Sequence, residues 1–236
     1  MSKEIIKSLI LNTSTNKNNS TTFNLINPIT VSEGYLVSQF TGVNSVFNIN
    51  ERNNVFSFTE NSTILYAILP PGNYTITSLI SALGPLISAA STVTYMVSVN
   101  SLTSKITIST AATQFRLVDS QNNIFYELGF TNFSTSLALS ITANSTYDLS
   151  GLKMIYLVSS SFGMGNCISV NKNLNTICSI PITTSYLGII SYSSPNSVFI
   201  SSQIDSIQSI DVQLYDERFR LLTLDRSFSI TILFSQ

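Results

Sequence analysis

The sequence predicts a mainly β protein: a single jelly roll (β-sandwich) carrying a small α/β insertion domain. Three observations lead there. Apolar residues recur at period two along most of the chain, and Asn, Ser, Gly and Pro punctuate these runs. One stretch, LPPGNYTITSLISAL at 69–83, switches to helical spacing instead.

In chain order, strands are expected over 4–11, 22–26 and 35–49, with turn signals at Asn27-Pro28 and 51–54. A strand over 63–69 then meets Pro70-Pro71-Gly72, a stiff turn into the helix. Thr75 or Thr77 can cap that helix by offering a side-chain oxygen to an orphan N–H, and Leu79, Ile80, Leu83 and Ile87 fall on one face. Pro85 should kink the helix or end its regular part near Leu83, because it removes a hydrogen bond and crowds the preceding turn. Val93, Tyr95, Val97 and Val99 alternate with Thr94, Met96 and Ser98, a strand is expected at 105–110, and one more precedes the next helical piece. A second short helical piece is expected at 123–128, closed by Gly129.

The segment 131–151 reads as a polar loop carrying a short strand around 137–141. Beyond it strands are expected over 153–159, 176–182, 187–192 and 198–201, with turns at 163–166 and 193–196. Ile210, Val212 and Leu214 mark the penultimate strand, and Phe228, Ile230, Ile232 and Phe234 the last. The helix-bearing part therefore reads as an inserted α/β domain at 53–133. Its host is a jelly-roll domain formed by 1–52 and 134–236, whose strands suffice for one jelly roll.

A chain of 236 residues can bury a proper core without staples. Cys167 and Cys178 lack CxxC spacing, no histidine accompanies them, and they read as reduced core or loop residues rather than a bridge. With 11 basic and 12 acidic residues, nothing in the chain favours a phosphate backbone, so no nucleic-acid partner is expected. A formal net charge of −1 favours association with other copies. Glu4 and Lys7 interrupt the apolar N-terminus, which does not read as a signal peptide. No apolar run approaches the roughly 20 residues that span a bilayer, so membrane insertion is not expected. The N-x-S/T sequons, such as those at Asn61 and Asn73, are what a Ser/Thr/Asn-rich chain produces by composition.

Catalytic constellations are missing from the sequence. Without histidine there is no Ser-His-Asp or Cys-His set, and neither a phosphate-cradling GxxxxGK[ST] loop nor GxGxxG occurs. Gly163-Met164-Gly165 lies in a Ser-rich loop with no following helix. Asp148, Asp205 and Asp211 are scattered acids without a D-x-D-x-D-G loop. The reading is therefore not an enzyme, with no cofactor and no metal. The one dense charged group is Asp216, Glu217, Arg218, Arg220, Asp225 and Arg226. It reads as a solvated, self-neutralising hairpin loop between the last two strands, with a subunit contact as the alternative.

Two blocks resemble a known family. LPPGNYTITSLISAL with the following TYMVSVN, KITIST, FRLVD and YELGF resembles a module of minor capsid and penton proteins of virophages and polinton-like viruses. The C-terminal SSQIDSIQSIDVQLYDERFRLLTLDRSFSITILFSQ resembles the closing jelly-roll strands of the same pentons. Together the blocks span about 64–130 and 186–236, roughly half the chain. The resemblance implies a penton subunit, a homopentamer at the fivefold vertices of an icosahedral capsid, with the major capsid protein as partner and the inserted domain facing outward. It implies a place in the virion after assembly in the host cytoplasm, and supplies no catalytic residues. An alternative reading is a viral surface module for host attachment or glycan recognition, carried by the inserted domain.

Overall fold

The computed structural model describes residues 6–13, 20–31, 34–132, 135–162, 167–169, 172–195, 199–201 and 205–235. The expected turn at 163–166 and parts of the strands expected over 4–11 and 198–201 lie outside these residues. Two compact units result, one from 1–46 with 152–236 and one from 47–151.

The first unit begins with β1 (Ile6–Asn12), β2 (Ser20–Thr30) and β3 (Gly34–Val43). The second comprises β4 (Val55–Glu60), β5 (Thr63–Ile68), α1 (Ile76–Ala90), β6 (Tyr95–Val99), β7 (Ile106–Thr110), β8 (Phe115–Leu117) and β9 (Ser140–Thr142). The chain then returns to the first unit as β10 (Met154–Val158), a single 3-10 turn at Ser160–Phe162, β11 (Cys167–Ser169), β12 (Lys172–Leu174) and β13 (Thr176–Pro181). It ends with β14 (Ile189–Ser193), β15 (Ile200–Ser201), β16 (Ser206–Tyr215), β17 (Leu221–Leu222) and β18 (Ser229–Ser235).

In the first unit one sheet runs β1-β18-β3-β14, with β15 beside β3; the other runs β13-β10-β16-β17, with β2 beside β16. The strands pair in a nested way: β1 with β18, β2 with β16, β3 with β14, and β10 with β13. This is the wrapped pairing of a jelly roll, and the second unit occupies the connection from its third long strand to its fourth. One core fills the space between the sheets. Val37, Phe40, Ile230, Ile232 and Phe234 come from one sheet, and Ile155, Leu157, Ile180, Ile210, Val212 and Leu214 from the other.

Where the period-two pattern slips, a bulge resets it. At β3 the register jumps between Thr231 and Ile232, leaving Ser38 as the extra residue, so Val37 and Phe40 both face the core. Ser38 donates its hydroxyl to Thr231 O at 3.2 Å. The expected strand over 35–49 stops at Val43 because the Asn44 side chain takes over the backbone. Its Oδ1 accepts from Val46 N at 3.4 Å and its Nδ2 donates to Thr184 O at 3.1 Å. Conversely, β2 runs through Asn27-Pro28 to Thr30 instead of ending at 26. Opposite Gln208 alone, Leu25 to Pro28 arch out as a bulge, where a proline on an outer strand breaks no ladder bond.

The second unit holds two three-stranded sheets, β5-β4-β8 and β6-β7-β9. Leu79, Leu83 and Ile87 of α1 are fully buried with Phe56, Phe58 and Phe115, while Ile80 is only half-buried. Thr75 is the N-cap: Ser78 N donates to its Oγ1 at 3.2 Å, and Thr75 N donates to Ser78 Oγ at 2.9 Å. The helix does not end near Leu83 but continues through Pro85 to Ala90. Pro85 and Ser81, whose carbonyl it leaves unpaired, both lie on the exposed face, so that carbonyl can be solvated. The piece expected at 123–128 is one turn, not a helix. Phe130 N donates to Phe125 O at 2.8 Å and Gly129 N to Tyr126 O at 3.0 Å, a helix-ending motif without its helix. Gly129 sits there at φ 83°, and a Cβ would fall 2.4 Å from Ser145 O.

Asn48 ties the ends of this unit together. Its Nδ2 donates to Tyr74 O at 2.8 Å and Leu149 O at 3.0 Å, and its Oδ1 accepts from Tyr74 N at 2.8 Å. β9 pairs with β7, so the strand expected near 137–141 belongs to this unit, which extends to Gly151. Residues 47–151 expressed alone are expected to fold, with one cooperative urea transition followed by circular dichroism. In that fragment Leu83→Ala should cost about 3 kcal/mol; a fragment without a transition contradicts the closure described.

Candidate functional site

The charged group read from the sequence falls in two places. The segment between β16 and β18 starts as a hairpin loop, because β17 pairs antiparallel with β16, and then crosses from β17 to β18 in the other sheet. Its first part is a tight turn built on Asp216, which is 1% exposed. The carboxylate accepts from Arg218 N at 3.0 Å, Arg220 N at 2.9 Å and Arg220 Nε at 2.9 Å. Backbone bonds from Asp216 N to Arg220 O and from Phe219 N to Asp216 O close the turn. Phe219 pays for the reversal with φ 54°, and its ring stacks on Tyr156 at 4.8 Å. Thus Asp216 acts inside the subunit, and Arg218 is the residue the turn presents to solvent. Glu217 is half-buried, with Oε2 accepting from Lys153 N at 3.4 Å.

The second part, Asp225 and Arg226, is exposed and separated from the first by the buried Leu222 and Leu224. Ser45 Oγ accepts from Asp225 N at 2.9 Å, which pins this stretch to the end of β3. The structure therefore brings together Asp216, Glu217, Arg218 and Arg220, and leaves Asp225 and Arg226 as a distinct exposed pair.

Other polar groups that could carry chemistry are engaged structurally. Asp211 accepts from Ser159 Oγ at 3.1 Å, Ser160 N at 3.1 Å, and Ser161 N and Oγ at 2.9 and 2.5 Å. Burial alone would push its carboxyl up, but hydrogen bonds from Ser161, Ser160 and Ser159 outweigh it and hold the group below the usual carboxylate range. In the second unit the buried Glu60 accepts from Ser91 Oγ at 2.6 Å and from the Tyr95 hydroxyl. Burial, then the Glu60 hydrogen bond and charge, raise the Tyr95 pKa. The Cys178 thiol is free, and burial pushes it up against hydrogen bonding with Tyr192 and the Ser179 backbone. Sequence reasoning missed Asn48 and Glu60, because a buried Asn or Glu in a strand-rich chain looks like any surface residue until the fold places it.

A jelly roll of nested strands, interrupted between its third and fourth long strands by an α/β unit, is the fold class on view. Among solved structures the chain is similar in fold to the mavirus penton protein, with TM-score 0.51 and 12% sequence identity. That match covers 98% of this chain and 99% of the penton. No family model matches the sequence, and no curated protein does.

Two outcomes follow for stability. Asp216→Ala should destabilise the first unit by about 3 kcal/mol in denaturant titrations, because it strands backbone N–H groups and the Arg220 guanidinium. The lowered Asp211 pKa means that the unfolded chain binds more protons than the folded one in mild acid. Its contribution is complete above the unfolded value of about 4 and lost as pH falls through the lower folded value. Asp211→Asn should therefore flatten the acid limb of the stability profile, measured by urea titration across pH.

Proposed function

We propose that the chain is a structural virion protein, a penton subunit forming pentamers at the fivefold vertices of an icosahedral capsid. The observation that carries this reading is the end-to-end fold match to the mavirus penton, which runs through both compact units rather than the common jelly roll alone. In this reading 1–46 with 152–236 are the capsid jelly roll, and 47–151 are a domain inserted into it. The major capsid protein is the outer partner, and the particle forms in the host cytoplasm.

The surface chemistry supports it. A net charge of −1 spread over few charged residues lets identical copies approach without strong repulsion. Fivefold closure is head-to-tail, so two different faces of each subunit must fit one another. Arg218, exposed in the turn it shares with the half-buried Glu217 and Arg220, and the exposed Asp225 and Arg226 further on offer charges of both signs to such a neighbour.

A second reading, host attachment through the inserted unit, is favoured by one observation: Ile64, Tyr66 and Ile68 project from one face of β5, each about half exposed. Sedimentation of the purified chain at rising concentration tests the first reading. A species of five times the chain mass is expected, and a chain that forms only dimers contradicts it.

A further inference from the structure

The most exposed apolar side chain described is Ile26, at 99%. It stands on the bulge of β2, where four residues, 25–28, oppose the single Gln208 of β16. Its neighbour Leu25 packs against the core and anchors the arch, while Ile26 and Asn27 point to solvent. The bulge thus packs one apolar residue partly against the core and holds the next wholly in water. Of the devices that protect an outer strand from pairing with other strands, this stretch has a bulge and Pro28 but no charge between Asn24 and Thr30, so its side chains can meet an apolar surface without desolvating an ion.

A fitting depression lies elsewhere on the same unit. Asn12, Thr41, Val43, Ile189, Phe228 and Ser229 line a mostly apolar hollow of about 410 Å³, open to solvent, at one end of the β1-β18-β3-β14 sheet. Ile189 on its rim is 69% exposed. A cavity of about 150 Å³ holds a benzene ring, so the hollow has room for an isoleucine side chain and its flanks. The two features lie on different sheets. β2 borders one sheet beside β16, and β14, which carries Ile189, borders the other beside β3. Neither is charged, so copies of this chain meet there without like-charge repulsion or the desolvation of an ion.

We infer that Ile26 of one copy seats in the Ile189 hollow of the next, as the keying contact of a head-to-tail ring. This rests on the self-assembling reading above. The occupant is a second copy because the uncharged knob and the uncharged hollow lie on different sheets of one chain, the arrangement that generates heterologous association and ring closure. One side chain buries far less than the roughly 800 Å² per partner of a stable interface, so the contact sets registration while the wider face supplies area.

The test uses the full chain. Ile26→Asp should raise the concentration of half-association in light scattering by roughly tenfold, with unchanged thermal melting. Leu102→Asp, which places the same charge at a 94% exposed position of the other unit, should leave association as in the wild type. In Ile26→Cys/Ile189→Cys, mild oxidation should give a reducible ladder extending beyond dimers. Each single variant, which keeps Cys167 and Cys178, shows the background. Wild-type association that persists in Ile26→Asp, with no ladder from the double variant, overturns the contact and leaves the self-assembling reading standing. A wild-type chain that stays monomeric up to its solubility limit overturns both.

Discussion

The pairing of β18 with both β1 and β3 is the constraint on which the first unit depends. The last strand of the chain lies between the first and the third, with Ile10 opposite Thr231 on one side and Phe40 opposite Ile230 on the other. Until it arrives, β1 has no partner and the apolar face of that sheet is incomplete. Ile230, Ile232 and Phe234 then enter the core together, all fully buried. Such a fold is dominated by contacts between distant parts of the sequence, which makes its closure late and cooperative.

That constraint explains why an insertion is tolerated where it occurs. The nested ladder needs the ends of β3 and β10 held at suitable places, and extra chain between them adds loop entropy only slowly with length. Residues 47–151 reduce that cost further by having a core of their own and by joining their ends through Asn48. Aromatic packing within this unit is dense: Tyr95 meets Phe58 at 5.4 Å and Phe115 at 5.1 Å, both edge to face. Glu60, itself held by the Ser91 hydroxyl, satisfies the polar end of Tyr95, so a phenol can sit in that core.

The mainly β character, the helix and the closing strands were legible because they rest on periodicity. Phe228, Ile230, Ile232 and Phe234 alternate without interruption, and all four are buried. Thr75 and the Leu79, Leu83, Ile87 face follow directly from capping and spacing rules. What local signals misjudged was decided by tertiary context. Pro85 breaks helices when its missing bond is buried, and here it faces solvent; Pro28 ends strands unless a bulge receives it. Asp216 looked like one more charge in a solvated loop, yet three donors converge on it inside a turn, a fact no linear pattern encodes. The β2 bulge left one trace in the sequence, the Asn27-Pro28 pair within an otherwise apolar run.

Among the described residues Asp216, Asp211, Asn48 and Glu60 are each engaged by turn, backbone or core groups, which leaves the exposed faces to carry contacts. This is consistent with the proposed penton role, in which the chain is held by copies of itself and by a shell. A map of the virion resolved at the fivefold vertex tests that claim most directly. Five copies of this jelly roll are expected around the axis, each fitted from residues 1–46 and 152–236. Vertex density occupied by a different fold, with this chain absent from the shell, would contradict it.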